Sequence, residues 1–549
     1  MSSVIFANLF SRSTNPSALS KFMNIQGKVE DIRIHRYLLV LMVVSAVMRA
    51  LIAGLFELGN DEVYYWTYAL YPDLSHFDHP PMVGWLIRLF TFNLHFDIEF
   101  FLRLASVVGG TLNTWLVFQI GKKLKDTLTG WYAALLYTAS IYSFVITGIF
   151  ILPDTPQSIF WLLALWLMLD CVEEMQAGKR GQWLMILIGI LLGLGLLSKY
   201  TTAFLWAGFV ITLLANRRIW FRKGSFYIMN LLMIAIFSIV IIWNLKNQFA
   251  SFSYQGGRGL VNEAVFNMDI LLTEILGEIV YHNPISFLWI VLALVWVFRN
   301  KAFLAEPKTR LVIFTGLPII IVFLILSMFR STLPHWSGPG YMTLIILAAL
   351  WIRNGMTSNV VAFPGKIITS LTAMLLIVTV SMVQIRTGFI RLEDPEKTVK
   401  KNRIADYSLE LFGWRQLGEK FKALAEHYES VGSIDRQAPL VSYRWFPAAH
   451  LEYYVARPSE RVVLASGDLG AIHKYAWINR EHGGFQLNTD AWYITSSRDF
   501  RDPALLRPLY YEIILPPDTI DILRNGRTAY QFYVYRMINL QAKPVDVLK

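Results

Sequence analysis

The sequence is 549 residues long, 55% hydrophobic and 14% aromatic, with only 16% of its residues charged. Soluble domains carry roughly 25% charged residues, and several apolar runs here reach the ~20 residues a helix needs to cross a bilayer. The composition therefore excludes a soluble globular protein and predicts a polytopic α-helical membrane protein. The net charge of +11 is read as basic loops that orient membrane helices, not as a nucleic-acid-binding surface. The single cysteine, Cys171, rules out an intramolecular disulfide.

Residues 1–34 read as a cytoplasmic N-terminal tail without the pattern of a cleavable signal peptide. Residues 35–390 read as the membrane domain. Eleven spans are expected, near 36–56, 101–120, 129–149, 155–172, 183–198, 201–216, 226–243, 284–298, 311–328, 338–352 and 366–384. The segment 268–281 is apolar but interrupted by Glu274 and Glu278, so it reads as an interfacial or re-entrant helix. Charge tests the count. Lys122, Lys123, Lys179, Arg180, Arg217, Arg218, Arg299, Lys301, Arg353 and Lys366 all fall in alternate short loops, as a cytoplasmic face requires. The other loops, 57–100, 150–156, 198–202, 244–283 and 329–337, then lie on the outer side together with residues 391–549.

The tail 391–549 reads as a soluble extracytoplasmic domain of α/β or α+β type. "LELFGWRQLGEKFKALAEHY" has helical spacing, and "PLVSYRWF", "ERVVLAS", "AWYITSS", "YYEIILP" and "AYQFYVYRM" read as short strands.

Ionisable residues gather in the first outer loop, "GNDEVYYWTYALYPDLSHFDHPPMVGWLI". At helical spacing Asp61, Tyr65 and Tyr68 share one face, and Glu62, Trp66 and Leu70 another. One face can aim a carboxylate and phenols at a cavity; equally, Asp61 and Glu62 can serve as first-turn acids at a helix N-terminus. Asp78 is placed to cap a second helix whose first turn holds Pro80 and Pro81. The apolar stripe Met82, Trp85, Leu86, Leu89 and Phe90 suits a helix at the membrane interface. Asp78 or a neighbouring histidine can alternatively reach a divalent cation or a sugar, but one carboxylate and one histidine do not define a metal site.

The motifs "NDEVYYW", "HFDHPPMVGWLIR", "PDTPQ", "LLSKYTT", "SFSYQGGRGL" and "LPHWSGPGYM" resemble, in order, those of bacterial GT-C glycosyltransferases. The branch is the one related to protein O-mannosyltransferases and the aminoarabinose transferase of lipid A. "YSLELFGWRQLGEKF" and "YRWFPAAHLEYYV" in the tail are similar to it as well, so the resemblance covers about residues 35–460. It implies an enzyme of the bacterial inner membrane that moves a sugar from a polyprenyl-phosphate donor to an acceptor glycolipid, glycan or protein on the periplasmic side. Membrane lipids surround it, and nucleic acid is not a partner.

The resemblance also implies roles. Asp61 and Glu62 match the acidic pair of the first outer loop, and Asp61 is the expected general base. Asp154 in "LPDTPQ" is a further site residue that orients a cation or the donor. Lys199 and Tyr200, in the short turn between two spans, together with Arg258 and Arg330, are expected at the lipid phosphate; arginine's planar fork suits that group. Tyr65, Tyr68, His79 and His335 would line the substrate cavity. Asp78 and His282 would hold a divalent metal ion, since some relatives bind cations. The rival class is a transporter or flippase for a lipid-linked sugar. Such proteins place charges at the bilayer midplane and often show repeated halves. Here Arg49 and Asp170 are the main charges within spans, and no repeat is found.

Overall fold

A computed structural model describes residues 16–259, 265–356, 362–390, 406–506 and 509–549. Among them, seven helices are long and apolar enough to cross a membrane: Val29–Leu55, Glu99–Leu124, Asp154–Glu173, Lys179–Leu196, Gly224–Lys246, Pro307–Ser327 and Gly365–Thr387. Met268–Tyr281 and Pro284–Arg299 form a pair bent by 101°, which makes an eighth span if counted as one. This is a multi-pass membrane protein. The other three expected spans form shorter helices: Thr127–Ala139, Ala203–Asn216 and Gly338–Asn354. Thr127–Ala139 is buried along its whole length and Gly338–Asn354 along almost all of it. Wrapped by other helices, these two need not match the full apolar thickness of a bilayer.

The 57–100 loop forms two helices, Asn60–Leu70 and Met82–Phe90. They cross so closely that a Cβ on Gly84 would stand 2.7 Å from Cβ of Tyr68. Only glycine admits this approach. Trp85 and Leu89 of the second helix stay exposed, consistent with the interfacial position read from the stripe.

The tail holds a six-stranded mixed sheet, ordered β2-β1-β3-β6-β4, with β5 also on β6. The strands are β1 Leu440–Ser442, β2 Val463–Ala465, β3 Ala491–Ser496, β4 Tyr510–Ile514, β5 Asp518–Arg524 and β6 Arg527–Ala542. β1 runs parallel to β2 and β3; β6 runs antiparallel to β3, β4 and β5. The expected tail helix is present at Trp414–Ser430.

The tail is hydrogen-bonded to the 57–100 loop. Glu57 accepts from the backbone N–H of Trp414 at 2.8 Å and of Arg415 at 3.3 Å. The Tyr454 hydroxyl donates to Glu99 at 3.0 Å and accepts from the Leu58 N–H at 2.7 Å. His450 bonds Asn60 at 2.9 Å. The Lys474 ammonium donates to the carbonyls of Thr67, at 3.0 Å, and of Tyr71, at the C-terminal end of helix Asn60–Leu70. A cation suits the negative end of a helix. The tail thus sets the position of the loop that carries the first acidic pair.

Candidate active site

Adjacent positions on helix Asn60–Leu70 face opposite ways. Glu62 is 2% exposed and turns inward. Its two oxygens accept from Nε and Nη2 of Arg103 at 2.7 and 2.6 Å. They also accept the N–H groups of Gly59 at 3.0 Å and Ile151 at 3.1 Å. Arg103 further donates to the carbonyls of Ala53, Phe56 and Glu57, where the first span ends. Glu62 is a structural anchor: its lone pairs are engaged, and it does not line the cavity. The expectation that it takes part in catalysis is corrected by this burial. On the same side, Trp66 packs edge-on to Tyr453 at 5.0 Å and lies under Arg457.

Asp61 opens onto a cavity of about 420 Å³, lined among others by Tyr65, Asp78, His79, Asp154 and Lys199. Tyr200, Arg258, His335 and Trp336 also line it. The 57–100 loop, the 152–154 turn, the 199–201 turn, helix Ala250–Gly259 and the 333–336 turn, far apart along the chain, therefore meet at one cavity.

Among the described residues no side chain pairs with the Asp61 carboxylate, whose exposure is to the cavity. Burial pushes its pKa up to about 7; the nearby charges of Asp78 and Glu410 add to this, and Arg258 opposes it. Burial holds His79 and His335 down at about 4, so both rings are neutral at physiological pH.

Asp154 begins helix Asp154–Glu173. One carboxylate oxygen accepts from the Lys199 ammonium at 2.7 Å and the other from the Tyr142 hydroxyl at 3.0 Å. An ammonium has three donors; Asp154 takes one, and Lys199 lines the cavity. Tyr200 bonds Ser251 at 3.0 Å. Arg258 lies on helix Ala250–Gly259. Its guanidinium stands over the rings of Trp336 at 4.7 Å and Tyr254 at 5.3 Å.

Besides Glu62, three expected site residues, Tyr68, Arg330 and His282, stand outside the lining. Tyr68 donates, with Tyr64, to Asp78 Oδ1, so the Asp78 carboxylate is held by two phenols and caps no helix. Met82–Phe90 begins instead after Pro81. Arg330 donates to the Gly257 carbonyl at 2.8 Å and steadies the Arg258 helix from behind. His282 ends helix Met268–Tyr281, stacked on Tyr341 at 4.1 Å. It is not brought to Asp78, and among the described residues no three His, Cys, Asp or Glu side chains are grouped to hold a metal ion. The expected Asp78–His282 metal pair is thus not formed, because one member is hydrogen-bonded in the first loop and the other is packed in the bundle.

Sequence reading missed the contribution of the tail. Trp445 and His473, stacked at 5.4 Å, close the cavity from the tail side. Trp445 packs on Tyr64 at 4.8 Å. Trp445 lies in the family-like segment "YRWFPAAHLEYYV", to which no role is assigned from sequence, and His473 lies in the aromatic-rich "HKYAW".

The family model for dolichyl-phosphate-mannose-protein mannosyltransferase matches residues 78–243. The lipid A galacturonosyltransferase RgtD of Rhizobium johnstonii is 20% identical over 299 residues, 53% of this chain and 60% of that protein. The match therefore spans about three-fifths of the length of that relative. The crystal structure of ArnT from Cupriavidus metallidurans bound to undecaprenyl phosphate is similar over 90% of this chain and 97% of its own, with TM-score 0.56 and 15% identity. Its apo state gives TM-score 0.55 at 13% identity, with the same coverage. The chain thus shares the fold of ArnT over most of its length, and residues 78–243 are similar to the mannosyltransferase family.

Proposed function

We propose that this protein transfers a sugar from a polyprenyl-phosphate donor, of the undecaprenyl class, to a glycolipid acceptor of the lipid A type, at the periplasmic face of the inner membrane. The observation that carries this reading is the single cavity in which an unpaired carboxylate, Asp61, is walled in with two cations, Lys199 and Arg258. The names of the curated relative and of the undecaprenyl-phosphate-bound structure support the choice of acceptor and carrier.

In this reading Asp61 takes the proton of the acceptor hydroxyl as its oxygen bonds to the anomeric carbon. The bond from that carbon to the phosphate oxygen breaks, and polyprenyl phosphate leaves as an anion. Lys199 and Arg258 stabilise the charge that gathers there. Asp154 holds the Lys199 ammonium in place through their ion pair. The apolar side chains of Phe323, Leu326 and Leu333 on the same cavity suit the start of the isoprenoid. No step is routed through a metal, because the residues described do not group into a ligand set.

The test is transfer by purified protein in lipid nanodiscs. The donors are undecaprenyl phosphates that carry radiolabelled hexose, uronic acid or aminopentose, and lipid A is the acceptor. Label on lipid A from one of them supports the reading; label that crosses the bilayer without any transfer supports the rival transporter class instead.

Two further results are expected. Loss of Arg258 removes a charge-assisted contact worth about 1.5–3 kcal/mol. Arg258→Ala should therefore raise the donor KM roughly 10- to 100-fold, while thermal unfolding in detergent stays near wild type. The pH profile of kcat/KM should rise through about 7, since the base must be ionised and Asp61 titrates there. An ordinary aspartate would place this limb near pH 4. Lys474 is also brought to about 7, by burial, but it loses charge as pH rises and would give a falling limb.

A further inference from the structure

A second cavity, of about 390 Å³, lies between the tail sheet and the first turn of helix Asn60–Leu70. Its wall includes Asn60, the residue before Asp61, so consecutive side chains of one helix open on two different cavities. The charge of Glu410, on the wall of the second, is felt by the Asp61 carboxyl in the first.

The chemistry of the two cavities differs. In the second, the rings of Trp414, Tyr443, Phe446 and Tyr530 stand beside the carboxylates of Glu410 and Asp499. Two guanidiniums, Arg444 and Arg498, balance those carboxylates, so the lining carries no net charge. Arg444 pairs with Asp499 at 3.3 Å and covers Phe446 at 4.9 Å. Arg498 donates to the Asp406 carbonyl at 3.0 Å. Among the described residues the Glu410 carboxylate has no hydrogen-bond partner, and burial raises its pKa. The wall is firm: Trp414 stacks on His450 at 4.1 Å, and His450 in turn holds Asn60 at 2.9 Å.

Flat apolar faces set among convergent donors and acceptors, without net charge, suit a ligand with a C–H face and a rim of hydroxyls. Fatty chains would leave the charged groups unpaired, and an isolated phosphate would leave the rings without a partner. We propose that this cavity binds the saccharide head group of the acceptor and presents its hydroxyl past Asn60 to Asp61. Phe446 and Arg444 are its contact residues, and Glu410 accepts from a sugar hydroxyl. This inference rests on the glycosyl transfer proposed above.

The test reads binding apart from transfer. The full-length protein in detergent is titrated calorimetrically with a β-1,6-linked glucosamine disaccharide, which has no acyl chains. Wild type should bind it. Arg444→Ala, a change at an exposed side chain, and Phe446→Ala should each weaken binding at least tenfold. Phe446→Tyr, which keeps the ring, should stay within threefold. No binding by wild type, or equal binding by all variants, overturns the assignment. Binding that behaves as stated while transfer fails supports this site and counts against the chemistry assigned to Asp61.

Discussion

Asp61→Asn is expected to lower kcat about 10²- to 10⁴-fold, the usual contribution of a placed general base. Asparagine keeps the size of the side chain and, since no described side chain pairs with Asp61, leaves no partner stranded. Donor binding and thermal stability should therefore hold near wild type while turnover falls. The rising limb of the pH profile near 7 should vanish with the carboxylate, because His79 and His335 titrate near 4 and cannot replace it. Mass spectrometry of undecaprenyl-phosphate binding alongside single-turnover transfer separates the two effects. A variant that binds donor and still turns over at the wild-type rate would remove Asp61 from the chemistry.

The neighbouring acid should behave in the opposite manner. Glu62 and Arg103 form a pair with side chains 2% and 1% exposed. Removing one member of such a pair costs about 3–5 kcal/mol, because the other charge is left buried and alone. Glu62→Ala should therefore lower yield and unfolding temperature sharply, and Arg103→Met should do the same. Arg103 also serves three carbonyls at the end of the first span, so its loss exposes orphan acceptors as well. The double variant should recover part of the loss, since neither charge is then stranded. Fluorescence-detected unfolding of the four proteins measures this. If Glu62→Ala folded as stably as wild type and lost only turnover, the anchor role would be wrong.

The contrast between positions 61 and 62 shows what the sequence contained. Helical spacing separated Asp61 and Tyr65 from Glu62 and Trp66, and the structure keeps that division. Which face met the cavity was decided by Arg103, 41 residues away, and no local pattern names such a partner. Span counting was legible in the same partial way. Helices such as Gly224–Lys246 and Gly365–Thr387 are long, apolar and largely exposed. Thr127–Ala139 and Gly338–Asn354 are apolar because they are enclosed by protein, and hydropathy cannot separate those two causes. In the tail, five strands were readable, although "YRWF" runs from β1 into the helix Trp445–Leu451. β5 was passed over, even though Asn525 and Gly526 both adopt positive φ in the tight turn to β6, a strong hairpin signal.

The cavity itself was only half visible. Motifs from the membrane segment predicted Asp61, Asp154, Lys199, Arg258 and His335 together, and all five line it. Trp445 and His473 were invisible because their approach depends on how the tail docks. That docking runs through Glu57, Glu99 and Lys474, none of which lies in a motif.

The central claim is that Lys199 and Arg258 receive the phosphate of a lipid carrier beside Asp61. A cryo-electron microscopy structure of the protein in nanodiscs with undecaprenyl phosphate tests it without knowledge of the sugar. The account predicts phosphate density within hydrogen-bond distance of both cations, with the isoprenoid leaving past Phe323 and Leu326. Phosphate density lodged elsewhere in the protein, with this cavity empty of lipid, would contradict it.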